Sequence, residues 1–173
     1  MKRFLPILAL AMALWGASTP ALAADGAIEA TIDATKMQWE TDSGHMMLPS
    51  DFRQMGTITD VNIFGVVPGK RTSKGSLSIG FSAVKQGDGF QVMSPEVRYS
   101  PEGMMKNFYV SAGDAEPEIT ITSFDAGADS LKIVGTFKAI MYKAESPMKS
   151  GSPDMNDSVA VEGSFESVLA NVK

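Results

Sequence analysis

The sequence predicts an all-β fold, either an antiparallel β-sandwich or a distorted β-barrel. From Ala24 onward, short stretches of alternating apolar and polar residues are separated by clusters of Gly, Pro, Ser and Asp. Such alternation places one face of each strand in a core and the other face in solvent. The sequence has no long amphipathic pattern with helix-capping residues, which favours a fold built from sheet alone.

The first 23 residues have the composition of an N-terminal signal peptide. A short basic start precedes an apolar run from Phe4 to Trp15, and the run is followed by the small-residue segment Ala21-Leu22-Ala23. These are the three regions of a secretory signal. We therefore predict a signal peptide over 1–23, a single all-β domain over 24–173, and a periplasmic location, with secretion as the alternative.

Charge and cysteine content exclude several classes of function. All 20 acidic residues but only 13 of the 15 basic residues follow residue 23, which gives that part a formal net charge of −7. Nucleic acids and anionic lipids both require a basic surface, so neither is expected as the main partner. The absence of cysteine excludes disulfides, thiol catalysis and thiolate metal sites. No apolar run reaches the length of a membrane-spanning helix.

The N-terminal half of the chain contains five stretches with strand alternation and one irregular segment. Residues 41–56 break the alternation and are predicted to form a long loop, or a loop with one helical turn capped by Ser50 or Asp51. The predicted strands are 27–33, 36–40, 57–67, 77–83 and 90–93.

The C-terminal half continues the same pattern up to one long polar segment. Residues 143–158 lack alternation and are predicted to form a loop that is either disordered or functional, as loops of this length usually are. A short edge strand is predicted over 96–99. The other predicted strands are 104–111, 119–124, 131–141 and 159–169.

The last two predicted strands, Leu131–Met141 and Val159–Leu169, are near-duplicates of each other. We interpret them as adjacent antiparallel strands at the centre of the sheet. Their polar faces have opposite charge, which would stabilise such a pair. The charged residues are Lys132 and Lys138 in the first copy and Glu162 and Glu166 in the second.

Each copy also has a glycine in the middle of the strand, Gly135 and Gly163. Glycine weakens a strand unless the geometry requires it. We therefore predict a bulge, a sharp bend or an aromatic ring lying over the backbone at each position.

Catalytic motifs are missing from the sequence. The chain has one histidine, His45, and no Gly-x-Ser-x-Gly, His-Glu-x-x-His or glycine-rich phosphate loop. The carboxylates fall mostly in turns, where they are expected for structural reasons. These observations predict a non-enzymatic protein without a cofactor.

The favoured function is the binding of a small apolar ligand within a β-barrel or sandwich. A curved all-β domain can enclose such a ligand between aromatic and aliphatic side chains. The same rings are also the natural core residues of the fold. The candidate ligand-binding residues are Trp39, Phe81, Phe137, Tyr142 and Phe165.

A first alternative is periplasmic copper binding through Met and His ligands. Ten of the 12 methionines follow residue 23, and His45, Met46 and Met47 are consecutive. Thioether sulfur and imidazole nitrogen suit Cu(I), particularly in a chain without thiols. These three residues are the candidate metal ligands.

A second alternative is an envelope-accessory module that binds another protein. The irregular segments 41–56 and 143–158 are the candidate contact surfaces, since binding residues are often carried on loops that a rigid sheet holds in place.

The segment from Glu116-Pro117-Glu118-Ile119 through Leu131 to Met141 has a strand preceded by proline, an acidic turn and a strand containing glycine. In this order it resembles the YceI-type periplasmic lipid-binding barrels. The resemblance is confined to these residues and does not extend to the N-terminal half. It implies a barrel and an apolar ligand, which agrees with the favoured function.

Overall fold

The computed structural model describes residues 25–44, 49–70, 72–113, 115–145 and 151–172. These parts contain ten β-strands and no helix. The strands are β1 (Gly26–Ile32), β2 (Thr35–Thr41), β3 (Asp51–Met55), β4 (Ile58–Val66), β5 (Ser76–Gln86), β6 (Gly89–Ser100), β7 (Phe108–Ser111), β8 (Glu118–Ala126), β9 (Ser130–Ala144) and β10 (Asp154–Asn171).

All ten strands belong to one sheet with the order β2-β1-β10-β3-β4-β5-β6-β7-β9-β8. Two further pairings, β2 with β4 and β10 with β9, close the sheet into a ring. The pairing of β10 with β3 is parallel, and the other pairings are antiparallel. The predicted all-β fold is confirmed, and the ring-like closure makes it a distorted barrel.

The interior of the barrel is built from the apolar positions that the sequence alternation indicates. On β9 every second residue from Leu131 to Met141 faces inward, and on β1 Ile28, Ala30 and Ile32 do so. Trp39 on β2 is fully buried, and its indole Nε1–H donates a hydrogen bond of 2.6 Å to the Gly75 carbonyl. The indole therefore fills the core and also satisfies its polar atom.

The near-duplicate strands β9 and β10 pair along most of their length, as predicted. In this register Phe165 lies opposite Gly135, and Phe137 lies opposite Gly163. A Cβ atom at position 135 would come within 2.5 Å of the Phe165 ring. Glycine is needed there because the ring covers the backbone, which confirms one of the three predicted reasons.

The predicted charge pairing between these strands is also confirmed. Lys138 lies directly opposite Glu162, and the Lys132 Nζ atom is 2.8 Å from the Glu166 Oε1 atom. Both pairs are on the outer face of the barrel. Each exposed pair adds a small stabilisation to a register in which the apolar faces are buried together.

Part of the segment 41–56 differs from its prediction. Asp51–Met55 is a strand, β3, so neither a loop nor a helical turn is present there. Ser50 caps no helix. Its hydroxyl donates to the Phe64 carbonyl at 3.2 Å and accepts from the Phe64 amide at 2.9 Å. Only Phe52 of β3 is buried, which explains why the sequence shows no alternation.

Two further segments of the chain also differ from their predictions. Most of the predicted loop 143–158 is strand in the described residues, because β9 extends to Ala144 and β10 begins at Asp154. The register shifts between Asp154 and Ser158, so the strand is bulged there. Residues 146–150 lie outside the described residues.

The separate edge strand predicted over 96–99 is the end of β6, which continues through Ser94 at a φ of 49°.

Candidate functional site

A groove of about 810 Å³ lies on the outer face of the barrel, across β2, β1, β10, β9 and β8. It is larger than two other clefts on the described surface, of about 390 and 160 Å³. Most of the side chains that border it occupy outward-facing strand positions and are exposed. We call this surface the outer groove.

The strand register arranges the polar side chains of the outer groove in two rows that run across the strands. Adjacent members of a row are separated by the spacing between strands, about 4.8 Å. From β2 to β8, the first row contains Lys36, Thr31, Glu162, Lys138 and Glu118. The second row contains Gln38, Glu29, Ser164, Thr136 and Thr120.

The two rows have different chemistry. The first has positive and negative groups that lie next to one another, and the second has an amide, a carboxylate and three hydroxyls. The three carboxylates and two ammonium groups almost balance, so the groove has little net charge. Hydroxyl, amide and carboxylate groups supply both donors and acceptors. This arrangement suits a polar ligand held by several hydrogen bonds.

Glycines on the inner side of the sheet help to shape the outer groove. Gly163 borders the groove, and a Cβ atom there would clash with the backbone of Glu29 and with Ala30 on β1. Gly135 is equally crowded by Phe165 and by the Thr120 carbonyl of β8. Strand glycines allow such close approach and let a sheet curve sharply.

Four of the five predicted ligand-binding rings lie together in the packed core. Trp39, Phe81, Phe137 and Phe165 are all buried. The ring centroids of Phe81 and Phe165 are 6.4 Å apart, and those of Phe137 and Phe165 are 6.5 Å apart. The three phenylalanine rings therefore pack against one another, whereas the Trp39 ring packs edge-on against Tyr99, with centroids 6.4 Å apart.

The fifth ring, Tyr142, is not part of this aromatic group. It is half-buried and follows the inward-facing Met141, so it lies on the outer face between Val110 and Ser158. The structure thus brings together four of the five predicted residues. Ligand binding by these rings stays a prediction.

The candidate copper ligands His45, Met46 and Met47 lie outside the described residues, so copper binding also stays a prediction. Within the ranges that the structure describes, no group of three or more His, Asp or Glu side chains is arranged to hold a metal ion.

A polar cluster that the sequence did not indicate lies at the bulge of β10. Asp157 accepts a hydrogen bond of 2.8 Å from Lys143 Nζ and one of 3.2 Å from the Tyr109 hydroxyl. The Lys143 hydrogen bond lowers the pKa of Asp157, and the same bond raises the pKa of Lys143. Burial, followed by the charge of Asp157, raises the pKa of Tyr109. The cluster joins β7, β9 and β10.

The outer groove itself could be anticipated only in part from the sequence. Alternation indicates that residues such as Thr136 and Ser164 face solvent, and the duplication places their two strands side by side. β8 follows from the short connection over 127–129 that joins it to β9, whereas β1 reaches β10 only by long-range pairing. No local signal encodes that second partner.

Comparison of the chain with protein-family models, with curated proteins and with solved structures gives no match. The resemblance of residues 116–141 to YceI-type barrels is therefore not supported by a family model. Across the described ranges, no helix has the length and apolar character needed to cross a membrane.

Proposed function

We propose that this protein is an exported, non-enzymatic binding protein of the periplasm and that its ligand site is the outer groove. The observation that carries the proposal is the pair of polar rows across five strands, which border a concavity of about 810 Å³. A pocket of several hundred cubic ångströms with convergent polar groups is the usual form of a small-ligand site.

The packed interior favours the outer groove over the barrel core as the binding site. Trp39 and Phe165 are almost completely buried, and they fill the centre together with Phe81 and Phe137. An apolar ligand could enter only if these rings separated. Opening such a space would forfeit packing contacts in the core, where truncation of one large ring to alanine costs about 3–5 kcal/mol.

The chemistry of the rows indicates the class of ligand. Charges that compensate each other within the groove do not select a strongly charged ligand. Alternating hydroxyl, amide and carboxylate groups instead match a chain with many hydroxyl or amide groups of its own. A short neutral saccharide chain with N-acetyl groups fits this description.

The proposal is tested with calorimetric titration of a short N-acetylglucosamine oligomer into the purified protein. Ser164→Tyr places a bulky ring in the second row of the outer groove, and we expect it to weaken binding about 5- to 150-fold, since one blocked hydrogen-bonding site costs roughly 1–3 kcal/mol. Ser158→Tyr is the matched control, because Ser158 is an exposed serine of the same strand that does not border the groove.

Equal affinity for the wild-type protein and the Ser164→Tyr variant would place the saccharide elsewhere and contradict the proposed site. The absence of binding to the wild-type protein would contradict the proposed ligand class. Circular dichroism of both variants verifies that the sheet is unchanged, since both substitutions are at exposed positions.

A further inference from the structure

Methionine is unusually prominent on the described surface. Seven large apolar side chains are exposed in the described residues, and four of them are methionines. Their exposed fractions are 51% for Met55, 44% for Met93, 61% for Met105 and 50% for Met155. We call these four residues the surface methionines.

The surface methionines contribute little to the core. Met55 ends β3, Met93 is on the exposed part of β6, Met105 is in the turn before β7, and Met155 is in the bulge of β10. A polar group added to such a side chain would remain in water. Oxidation of a surface methionine should therefore change the free energy of unfolding only slightly, as most surface changes do.

The remaining described methionines are less exposed, and one of them is in the core. Met141 on β9 is fully buried, with 0% exposure. Met37 packs against the core, and its sulfur lies 3.9 Å from the Tyr99 hydroxyl. Adding oxygen to Met141 would place a polar group among apolar side chains without a partner, which is strongly destabilising.

The chain offers no softer nucleophile to an oxidant, because it has no cysteine. Thiolates are otherwise the first groups that peroxides attack in proteins. In this protein the exposed methionine thioethers are therefore the groups that we expect a peroxide to attack first.

We propose that the surface methionines are oxidation sites that consume peroxide before the core methionine is reached. The sulfur lone pair attacks one peroxide oxygen, an S–O bond forms and the O–O bond breaks. The departing hydroxide takes the proton of the transferred oxygen and leaves as water. Sulfur is oxidised by two electrons to the sulfoxide, and the peroxide is reduced by two. This inference is independent of the proposed ligand.

The first test exposes the purified protein to hydrogen peroxide and follows each methionine by peptide mass spectrometry. We expect sulfoxide to form at the four surface methionines at least about tenfold faster than at Met141, because susceptibility follows exposure. Trp39 fluorescence should stay unchanged while the four are converted. Comparable rates at Met141, or a fluorescence change at that stage, would overturn the proposal.

The second test uses a variant in which the surface methionines are replaced by leucine, which has a similar size and no sulfur: Met55→Leu, Met93→Leu, Met105→Leu and Met155→Leu. With a limiting amount of peroxide, we expect Met141 sulfoxide to increase severalfold relative to the wild-type protein. An unchanged amount of Met141 sulfoxide would show that the surface methionines do not spare the core.

Discussion

Ala34 has the least favourable backbone conformation for its residue type among the described turns. Asp33 and Ala34 form the two-residue turn between β1 and β2, with φ values of 44° and 66°. A type I′ turn requires positive φ at both positions, and glycine is the preferred second residue. Asp tolerates this region through local hydrogen bonds, whereas alanine has no such compensation.

We expect Ala34→Gly to increase the free energy of unfolding by about 1 kcal/mol, since the left-handed conformation costs an L-residue roughly that amount. Urea unfolding followed by Trp39 fluorescence measures the change. Ala27→Gly is the control, because Ala27 is in β1 at ordinary φ and should lose about 0.5–1 kcal/mol. A loss of stability in both variants would contradict the account of the turn.

Gly135 on β9 is a strand glycine that is closely surrounded by its neighbours. A Cβ atom there would come within 2.5 Å of both the Phe165 ring and the Thr120 carbonyl. We expect Gly135→Ala to lower the free energy of unfolding by about 1–3 kcal/mol, because the crowded neighbours must move.

The matched control for this substitution is Gly80→Ala on β5. The nearest atom to a Cβ at that position is the Val61 carbonyl oxygen, 4.0 Å away. Its stability should stay within about 0.5 kcal/mol of wild type, as for other surface-like changes. Equal losses in the two variants would indicate that glycine flexibility, and not contact with Phe165, determines the effect.

The bulge of β10 is stabilised by electrostatic contacts that depend on pH. Asp157 is the acceptor for both Lys143 and Tyr109, and its pKa lies below the ordinary value of 3.8. A lowered carboxyl pKa contributes stability that is present above the unfolded-state pKa and is lost as the pH falls through the folded-state pKa.

We therefore expect Asp157→Asn to be less stable than the wild-type protein at neutral pH, with a difference that shrinks as the pH falls below 3.8 and through the lower folded-state pKa of the carboxyl. Thermal unfolding at several pH values measures this difference. Asp125→Asn is a control, because Asp125 lies in β8 away from the bulge. A stability difference that persists unchanged into acid would exclude the charge of Asp157 as its cause.

The elements that the sequence predicts best are strands with a long stretch in which one face is buried. β5, β9 and β10 alternate over many residues, and their existence was evident from the pattern alone. The ends of β9 and β10 were underestimated because Lys143 and Asp157 are polar residues whose pairing partners lie on other strands.

The elements that were missed are stabilised by contacts outside themselves. β3 buries only Phe52, and it is held by pairing with β4 and, over two residues, with β10. The continuous β6 passes through Ser94 in a conformation that few non-glycine residues adopt. The sequence therefore indicated a break where the structure has a bulged strand.

At the scale of the whole molecule, the all-β class followed from alternation, but the closure of the sheet did not. Closure depends on short pairings between distant residues, such as Glu40 with Val66 and Ala170 with Asp51. Four of the five candidate aromatic residues are buried in the core, which agrees with their interpretation as core residues, and Tyr142 is not among them. The outer groove follows from curvature and strand order, which local patterns do not encode.

The interior of this barrel is packed with buried side chains, and we propose that ligand binds in the outer groove. The most direct measurement is an amide NMR titration of the labelled protein with the N-acetylglucosamine oligomer and, in parallel, with palmitate. We predict saturable shifts at Thr136, Ser164 and their neighbours with the saccharide. We also predict an unchanged Trp39 indole N–H signal with palmitate, since that N–H donates a hydrogen bond to the Gly75 carbonyl in the packed core. A saturable shift of the indole signal on addition of palmitate, without saccharide shifts in the groove, would contradict the account.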